Sequence, residues 1–410
     1  MGGRLWRHRD FLKLWAGETV SIVGSSITTL ALPTLAIFRF HAGPAQVGLL
    51  IALNRLAFPA LAIPVGAWLD RRRKRPVMVA ADLGRLLVLG SIPVALALGQ
   101  LSLLWLYAAA FLAGVLTVFF DLAYLAYLPA LVERRDLVEA NTKLEFSYAL
   151  SSIAGPGLAG LLIQFAGAAR AVLTDAFSFG VSAAALLAIR KSELAPQRSG
   201  ARIHGEIGEG IRFVFGTPLL ATLLVCQGIS IVGAHAVETV EYPFAYLRLH
   251  LSPGAFGGVV AFTGIGAIIG ATVNQRVTRR LGVGPAIALS GGILGLCMMG
   301  LPLAALAPPL PILAALFLVL GIADPINNVG QLSLRQSATP DRLQARMNSI
   351  FRTVYWGFWP LGNLVGGWLG ATLGLVPTIL GGGALTAAGM LLMLTTAAGR
   401  LRDQPALENA

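Results

Sequence analysis

Several charged residues lie inside long apolar stretches of this sequence, where a charge is unfavourable. Glu18 lies in the first such stretch, and Asp121 and Asp324 occupy matched places in the fourth and the tenth. Placing a charged side chain at the centre of a membrane helix costs roughly 2.5–3.5 kcal/mol on insertion scales. A carboxylate at such a place could take up a proton, which suits proton coupling or the capture of a cationic substrate. For Glu18, a hydrogen bond to a neighbouring helix is the structural alternative.

Other charged residues in these stretches suggest pairing or substrate contact. Arg55 lies in the middle of the second stretch and needs either a partner or an anionic substrate. Asp82 and Arg85 are three residues apart in the third stretch, so one helix face presents both and they can form a structural pair. Three residues approach the outer end of the seventh stretch and could form a vestibule for cations or a proton exit: His235, Glu238 and Glu241.

The sequence lacks the motifs of the common enzyme classes. It contains no nucleotide-binding GxxxxGK[ST] loop, no HExxH metal motif and no GxSxG nucleophile motif. Cys226 and Cys297 lie inside apolar stretches and neither has a CxxC neighbour, which argues against metal binding and redox chemistry. We therefore expect a protein that is not an enzyme and that needs no cofactor and no metal.

Composition indicates which elements position these residues. The 410 residues are 56% hydrophobic and only 12% charged, with a mean hydropathy of +0.75, whereas soluble domains carry about 25% charged residues. Apolar runs of about 20 residues, each long enough to cross a bilayer as a helix, recur from end to end. A large soluble all-α protein would keep polar faces on its helices. A membrane β-barrel would alternate polar and apolar residues.

We predict an all-α membrane protein with twelve transmembrane helices. The first apolar run is too long for a cleaved signal peptide, so we expect it to be kept as the first helix. The predicted helices lie near residues 11–37, 45–68, 77–98, 101–128, 143–165, 170–189, 217–245, 254–275, 284–305, 309–333, 347–370 and 374–397.

The segment 66–76 orients the chain in the membrane. After Asp70 it carries five consecutive cations between two apolar runs, and such a hairpin belongs on the cytoplasmic side. With both termini in the cytoplasm, the connections on that side are rich in Lys and Arg and the outer ones are nearly bare. The net charge of +12 therefore reflects membrane topology rather than nucleic-acid binding. We expect a multi-pass protein of the cytoplasmic membrane whose cations meet anionic lipids at the inner face.

The sequence repeats itself at an offset of 209 residues. Residues 39–48 recur as 248–257, each with an arginine, a histidine two residues later, and then a proline and a glycine at equal spacing. At the same offset Glu18 corresponds to Gln227. Each repeat holds six helices, so both halves enter the membrane from the same side. This predicts two parallel six-helix halves related by an axis along the membrane normal.

The repeats define the predicted domains. Residues 1–190 form an N-terminal six-helix bundle and 217–400 a C-terminal one, joined by a cytoplasmic linker at 191–216, and 401–410 form a disordered tail. The spacing of isoleucines in the linker predicts a short amphipathic helix at the cytoplasmic interface, with an ordinary solvated linker as the alternative. These isoleucines recur every four residues, at Ile203, Ile207 and Ile211.

The hairpin and the paired halves resemble the major facilitator superfamily of transporters. That family's loop motif has a glycine, an aspartate four residues later followed by a basic residue, and then a glycine and two basic residues. Arg73 stands where the motif prefers glycine, and the matching positions are Gly66, Asp70, Arg71, Lys74 and Arg75. Segments 128–141 and 335–343 are similar to the branch that contains enterobactin-type siderophore exporters and macrolide-efflux proteins.

The resemblance implies roles for several polar residues. The hairpin would brace the two halves when the inside is closed, with Asp70 capping backbone or pairing with an arginine, or it would serve topology alone. Asp121 and Asp324 would lock or release the cytoplasmic gate, with static capping as the alternative. Glu145 and Arg352 begin matched helices, so they could form an ion pair across the pseudo-twofold axis or remain two solvated helix ends.

Aromatic side chains fall on helices that line the cavity or gate in this family. They would suit flat apolar or cationic molecules, or serve instead as interface anchors and core. These residues are Tyr124, Tyr127, Tyr148, Tyr355, Trp356 and Trp359.

A run of small residues in the fifth predicted helix resembles the proton-antiporter motif of drug exporters. Small residues four apart let helices approach closely, and a proline removes one backbone hydrogen bond and permits a kink. Two of the motif's glycines are replaced, and ordinary small-residue packing is the alternative. The corresponding positions are Ser151, Gly155, Pro156, Ala159 and Gly160, with Ser151 and Ala159 in place of the two glycines.

Together these features predict a proton-coupled secondary transporter that exports a small organic molecule (a drug, macrolide or siderophore-like compound) by alternating access. Its partners would be that substrate, protons and the lipid bilayer, with no nucleic acid, and we expect a monomer. A proton-coupled importer is the first alternative, and a non-transporting membrane receptor or lipid-handling protein is the second. The sequence does not select a substrate class, since its acids suit cations while Arg55 permits anions.

Overall fold

The computed structural model of the chain describes residues 4–191, 193 and 203–403. Residues 192 and 194–202 of the predicted linker and 404–410 of the predicted tail lie outside the described residues. Within the described ranges, all regular structure is helical. The predicted all-α membrane fold is confirmed.

Thirteen α-helices, joined mostly by short connections, make up the described chain. Their bounds are Arg9–Phe40 (α1), Pro44–Leu69 (α2), Lys74–Ala97 (α3), Leu103–Leu131 (α4), Leu137–Ala166 (α5), Ala168–Leu187 (α6), Ile203–Gly216 (α7), Pro218–Pro243 (α8), Pro253–Leu281 (α9), Val283–Gly300 (α10), Pro309–Ser337 (α11), Gln344–Thr372 (α12) and Leu375–Leu391 (α13). Helix α8 runs on into a π-helical turn at Phe244–Arg248.

Eleven helices in the described part of the chain are long and apolar enough to cross a membrane. Helix α7, with 14 residues, is too short. Helix α12 corresponds to the eleventh predicted span and has 29 residues, but it is less apolar than its neighbours. The reason is its content of Tyr355, Trp356, Trp359 and Asn363, which interrupt the aliphatic run.

Contacts between residues divide the chain into two compact units. Unit 1 comprises the described parts of Met1–Ala42, Leu53–Ser199 and Ser252–Ala261. Unit 2 comprises Gly43–Ala52 and the described parts of Gly200–Leu251 and Phe262–Ala410. The first turns of α2 thus group with unit 2 and those of α9 with unit 1. The predicted boundaries at residues 190 and 217 stay predictions.

In unit 1 the helices α1 and α6 pack closely through small residues. A Cβ added to Gly17 would lie 2.9 Å from the Cβ of Ala185, and one added to Gly24 would lie 2.8 Å from the Cβ of Ser178. Around this pair a core of large apolar residues forms, with Phe11, Met78 and Leu131 essentially inaccessible. Helix packing in lipid depends on such close approach of the backbones. The hydrophobic effect does not drive helices together there, because the lipid is as apolar as the side chains.

In unit 2 the helices α8, α10 and α13 also pack closely through small residues. A Cβ on Gly233 of α8 would lie 2.4 Å from the carbonyl oxygen of Gly382 in α13. A Cβ on Gly295 of α10 would lie 2.4 Å from the carbonyl oxygen of Gly383, also in α13. Helix α13 therefore packs closely on two neighbours through adjacent glycines.

The repeat seen in the sequence takes the same backbone conformation in both copies. His41 and His250 both have φ of 52°, and they are the non-glycine residues with positive φ in the described chain. Histidine is one of the residues that tolerates this left-handed region. After each, one backbone bond closes the preceding helix: the N–H of Ala42 donates to the carbonyl of Ala36, and that of Leu251 to the carbonyl of Ala245.

Candidate functional site

Glu18 is buried in unit 1 and one of its oxygens is unsatisfied. The residue is 7% exposed, and its Oε2 is buried with no hydrogen-bond partner among the described residues. The charges of Arg85, Asp121 and Asp82 act on it. A buried acid without a complete set of partners is costly unless it binds a proton or a cation. Glu18 is therefore the centre of the candidate site.

Asp82 and Arg85 form a buried ion pair beside this acid. They are 0% and 5% exposed, and Nη2 of Arg85 donates a hydrogen bond to Oδ1 of Asp82. The guanidinium of Arg85 also lies over two aromatic rings, 4.0 Å from the centroid of Phe179 and 4.5 Å from that of Phe120. The guanidinium is thus in contact with one carboxylate and two aromatic faces, while Oδ2 of Asp82 and Nε of Arg85 are buried with no hydrogen-bond partner among the described residues.

A further buried acid, Asp175 on α6, was not singled out from the sequence. It is 1% exposed, and the hydroxyl of Ser178 donates to its Oδ1 at 3.2 Å. A Cβ on Gly24 of α1 would lie only 2.6 Å from that same oxygen, so α1 packs directly over the carboxylate. The available signal was the acid itself, since it interrupts the sixth apolar stretch in the same way that Glu18 interrupts the first.

The other predicted residues of unit 1 lie at varied depth. Tyr124 stacks on Phe120 with a centroid distance of 6.2 Å, and its hydroxyl is buried with no partner among the described residues. Asp121 on α4 and Arg55 on α2 are half-buried, whereas Glu145 near the start of α5 is exposed. Tyr124 lies within electrostatic range of Glu18, so one predicted tyrosine is near the buried acid.

The small residues of α5 pack against two helices. The hydroxyl of Ser151 lies 2.6 Å from that of Ser26 on α1, and a Cβ on Gly155 would lie 2.6 Å from the Cβ of Ser26. One turn further, a Cβ on Gly160 would lie 2.5 Å from the carbonyl oxygen of Pro253 at the start of α9. Ala159 is fully buried, and Pro156 lies inside the helix without ending it.

In unit 2 a polar cluster joins α8 to α12. Nδ1 of His235 lies 2.5 Å from Oε2 of Glu238, and Nε1 of Trp359 donates to the same oxygen at 3.2 Å. The rings of His235 and Trp359 stack with centroids 4.3 Å apart. The amide of Asn363 donates to the carbonyl of His235 at 3.1 Å and to the hydroxyl of Thr239 at 3.0 Å. Glu238, predicted to face a vestibule, is thus engaged by α12.

Unit 2 also contains a cavity of about 340 Å³. It is lined by amides, arginines and aromatic rings, with these among the lining residues: Gln227, Asn328, Arg335, Arg352, Tyr355 and Trp356. Its volume falls in the range of small-molecule pockets. Arg352 of the predicted gating pair therefore lines a pocket, and Glu145 belongs to the other unit, so their ion pair stays a prediction.

Asp324 lies outside the pocket lining, on an exposed part of α11. The amide of Asn328 donates to its Oδ1 at 2.9 Å. Asn328 itself lines the cavity, so Asp324 contacts a lining residue without lining the cavity itself. Its predicted role in gating stays a prediction.

The hairpin between α2 and α3 is closed by a residue from outside the motif. The carboxylate of Glu193 accepts hydrogen bonds from the backbone N–H of Lys74 at 2.6 Å and of Arg75 at 3.1 Å. The guanidinium of Arg75 donates to the carbonyls of Leu186 and Leu187 at 2.8 and 2.7 Å. The start of α3 and the end of α6 are therefore both capped by charged side chains.

The roles suggested for Asp70 stay predictions. Within the described ranges its carboxylate has no hydrogen bond or ion pair. It follows the end of α2, where backbone carbonyls rather than N–H groups are unsatisfied. A Cβ on Gly66 would meet open space, and Arg71 is exposed. Bracing of the two halves by this loop stays a prediction.

Comparison with known proteins agrees with this arrangement of helices. A model of the Major Facilitator Superfamily matches residues 14–363. The multidrug efflux pump Tap of Mycolicibacterium fortuitum is 28% identical over 384 residues, which cover 90% of this chain and 91% of Tap. The enterobactin exporter EntS of Citrobacter koseri is 27% identical over 417 residues, covering 97% and 94%.

The fold is also found among solved structures. A bacterial homologue of the iron transporter ferroportin, in an inward-facing state, superposes with a TM-score of 0.75 at 16% identity, covering 95% of this chain and 99% of that one. The resemblance predicted from the hairpin, and its placement among efflux proteins, is confirmed. This multi-pass membrane protein belongs to the major facilitator superfamily of transporters.

Proposed function

We propose that this transporter exports a small organic molecule across the cytoplasmic membrane in exchange for protons, by alternating access, with both termini in the cytoplasm. The direction is supported by the two relatives, which are named as an efflux pump and an exporter. The positive connections of the chain support the orientation. The single observation that carries the proton coupling is the burial of Glu18 with an unsatisfied oxygen.

The surroundings of Glu18 suit a group that changes its charge during a transport cycle. Arg85 is held in place by Asp82 and two aromatic rings, so a fixed cation acts on Glu18 while two other acids, Asp82 and Asp121, act in the opposite sense. Small movements of these charges would change how readily Glu18 holds a proton. A carboxylate balanced in this way can bind a proton on one side of the membrane and release it on the other.

The test is pH-gradient-driven transport by the full chain in proteoliposomes, with a set of dyes, macrolides and siderophores. Wild type is compared with Glu18→Gln, which keeps the shape of the side chain and removes its ability to release a proton. The matched control is Glu133→Gln, the same change at an exposed acid that pairs with Arg135 in a surface turn. We expect substrate-dependent proton flux in wild type and control, and its loss in Glu18→Gln.

Three other outcomes would each contradict part of this proposal. Flux that persists in Glu18→Gln would leave the exporter in place and move coupling to another acid, such as Asp121. Accumulation in the direction opposite to export would identify an importer. No substrate-dependent proton movement, together with full function of Glu18→Gln in cells, would favour a receptor or lipid-handling protein.

A further inference from the structure

The cavity of unit 2 has a distinctive charge pattern. Arg335 and Arg352 both line it, and no carboxylate does so among the described lining residues. The rest of the wall combines neutral amides, including Gln227, with the aromatic rings of Tyr355 and Trp356. A pocket with cations, hydrogen-bonding amides and flat rings is complementary to an aromatic molecule that carries an acidic group.

Among the residues that the structure describes, no carboxylate pairs with the half-buried Arg335. Its Nε is buried and has no hydrogen-bond partner among the described residues, and its guanidinium lies 4.4 Å from the centroid of the Phe351 ring. By contrast, Arg342 and Arg346, a few residues further on, pair with the carboxylate of Glu209. Because a guanidinium presents a planar fork of donors that matches a carboxylate, an anion in the cavity would satisfy Arg335.

A second polar group in the cavity is also unsatisfied. Oε1 of Gln227 is buried with no partner within the described ranges. Gln227 corresponds to Glu18 in the sequence repeat, and Arg352 corresponds to Glu145. Where the first half carries acids, the second half carries a neutral amide and a cation. This exchange removes negative charge from the cavity wall, which favours an anionic ligand over a cationic one.

We propose that this cavity binds the acidic group of an aromatic organic anion, with Arg335 as its principal contact and the rings of Tyr355 and Trp356 against its apolar body. The assignment deepens the proposed export function by naming a substrate class, and it rests on that function only for the claim that the bound anion is transported. Binding itself requires no gradient and no proton coupling.

The experiment measures equilibrium binding to the full chain in lipid nanodiscs by isothermal titration calorimetry. Three probes share the naphthalene ring and carry one short polar substituent that differs in charge: 2-naphthoate, neutral 2-naphthamide, which has the same shape, and cationic 2-naphthylmethylammonium. We expect 2-naphthoate to bind wild type at least tenfold more tightly than the other two, because a charge-assisted hydrogen bond is stronger than a neutral one.

Two variants and one control locate the binding site. Arg335→Gln is expected to weaken binding of 2-naphthoate about tenfold or more and to leave 2-naphthamide unchanged, and Arg335→Lys to keep part of the preference. Gln227→Glu places a carboxylate on the wall, so it should weaken 2-naphthoate binding and strengthen binding of the ammonium probe. The control is Arg279→Gln, the same change at an exposed position of α9 outside the cavity lining, which should bind as wild type does.

The outcomes separate this proposal from the proposed function. Equal binding of the three probes by wild type, absence of 2-naphthoate binding at millimolar concentration, or an Arg335→Gln variant that binds as wild type does would each overturn it. Should Arg335→Gln not fold, the probe comparison on wild type and the Gln227→Glu variant still decide. Selective anion binding without proton flux would support the cavity and contradict proton-coupled export. Proton flux that depends on Glu18, together with equal binding of the three probes, would support proton-coupled export and contradict the proposed anion site.

Discussion

The Cα of Gly257 in α9 lies 3.0 Å from the place that a Cβ on Gly160 of α5 would occupy. An equivalent contact occurs in unit 2, where a Cβ on Gly48 of α2 would lie 2.9 Å from the Cα of Gly367 in α12. In each case backbone meets backbone, so no side chain can move aside. Both contacts therefore require glycine.

We predict that Gly160→Ala destabilises the protein, by about 1–3 kcal/mol if the helices must separate to admit the methyl group. The matched control is Gly157→Ala on the same helix, where the nearest atom would lie 3.8 Å away. The unfolding temperatures of the two purified variants are compared. They are measured by size-exclusion chromatography of samples heated to increasing temperatures. Equal unfolding temperatures would show that α5 and α9 are not packed as described.

Removal of Arg85 should be more damaging than removal of the whole pair. Arg85→Gln leaves the fully buried Asp82 without its partner, and breaking a buried pair in this way costs roughly 3–5 kcal/mol. The double variant Asp82→Asn, Arg85→Gln removes both charges and is expected to recover most of that loss. The measurement is the thermal unfolding temperature of the two variants. A double variant no more stable than the single one would contradict the pairing.

Glu18→Gln should not destabilise the protein, in contrast to Arg85→Gln. The substitution keeps the volume of the side chain and removes an ionisable group whose Oε2 has no partner. A functional acid is retained at some cost in stability, so we expect an equal or higher unfolding temperature together with the loss of proton flux. A clear drop in unfolding temperature would instead indicate that Glu18 is a structural residue.

Glu193→Gln should loosen the start of α3. The carboxylate accepts two backbone hydrogen bonds there, and loss of a capping acid typically costs about 1 kcal/mol. Amide hydrogen exchange at Lys74 and Arg75 should therefore become faster, while exchange in the middle of α3 stays the same. Glu133→Gln serves as the control, and unchanged exchange in Glu193→Gln would rule out the cap.

The helices, the repeat and the Asp82–Arg85 pair could be predicted because each leaves a regular pattern in the sequence. Apolar runs of bilayer length predict helices, a spacing of three predicts a shared face, and a fixed offset predicts the second half. The common backbone conformation at His41 and His250 shows that the sequence repeat is also a structural repeat at these positions. Helix α12 is the exception in apolarity, because its aromatic and amide residues serve contacts with α8.

The parts that could not be predicted depend on residues far apart in the chain. Glu193 caps Lys74 across 119 positions, and Trp359 meets Glu238 across 121, and no local pattern encodes either contact. The cavity around Arg335 requires side chains from α8, α11 and α12 together. Asp175 is different, since the argument applied to Glu18 would have identified it from the sequence.

The modest apolarity of α12 has a consequence for how the protein is made. A helix rich in tryptophan, tyrosine and asparagine leaves the translocon for lipid less readily than an aliphatic one. Helix α8 is synthesised earlier, and it offers the carbonyl of His235 and the hydroxyl of Thr239 to the amide of Asn363. We therefore expect α8, once it is in the membrane, to assist the cotranslational insertion of α12, so that the order of synthesis contributes to folding of the second half.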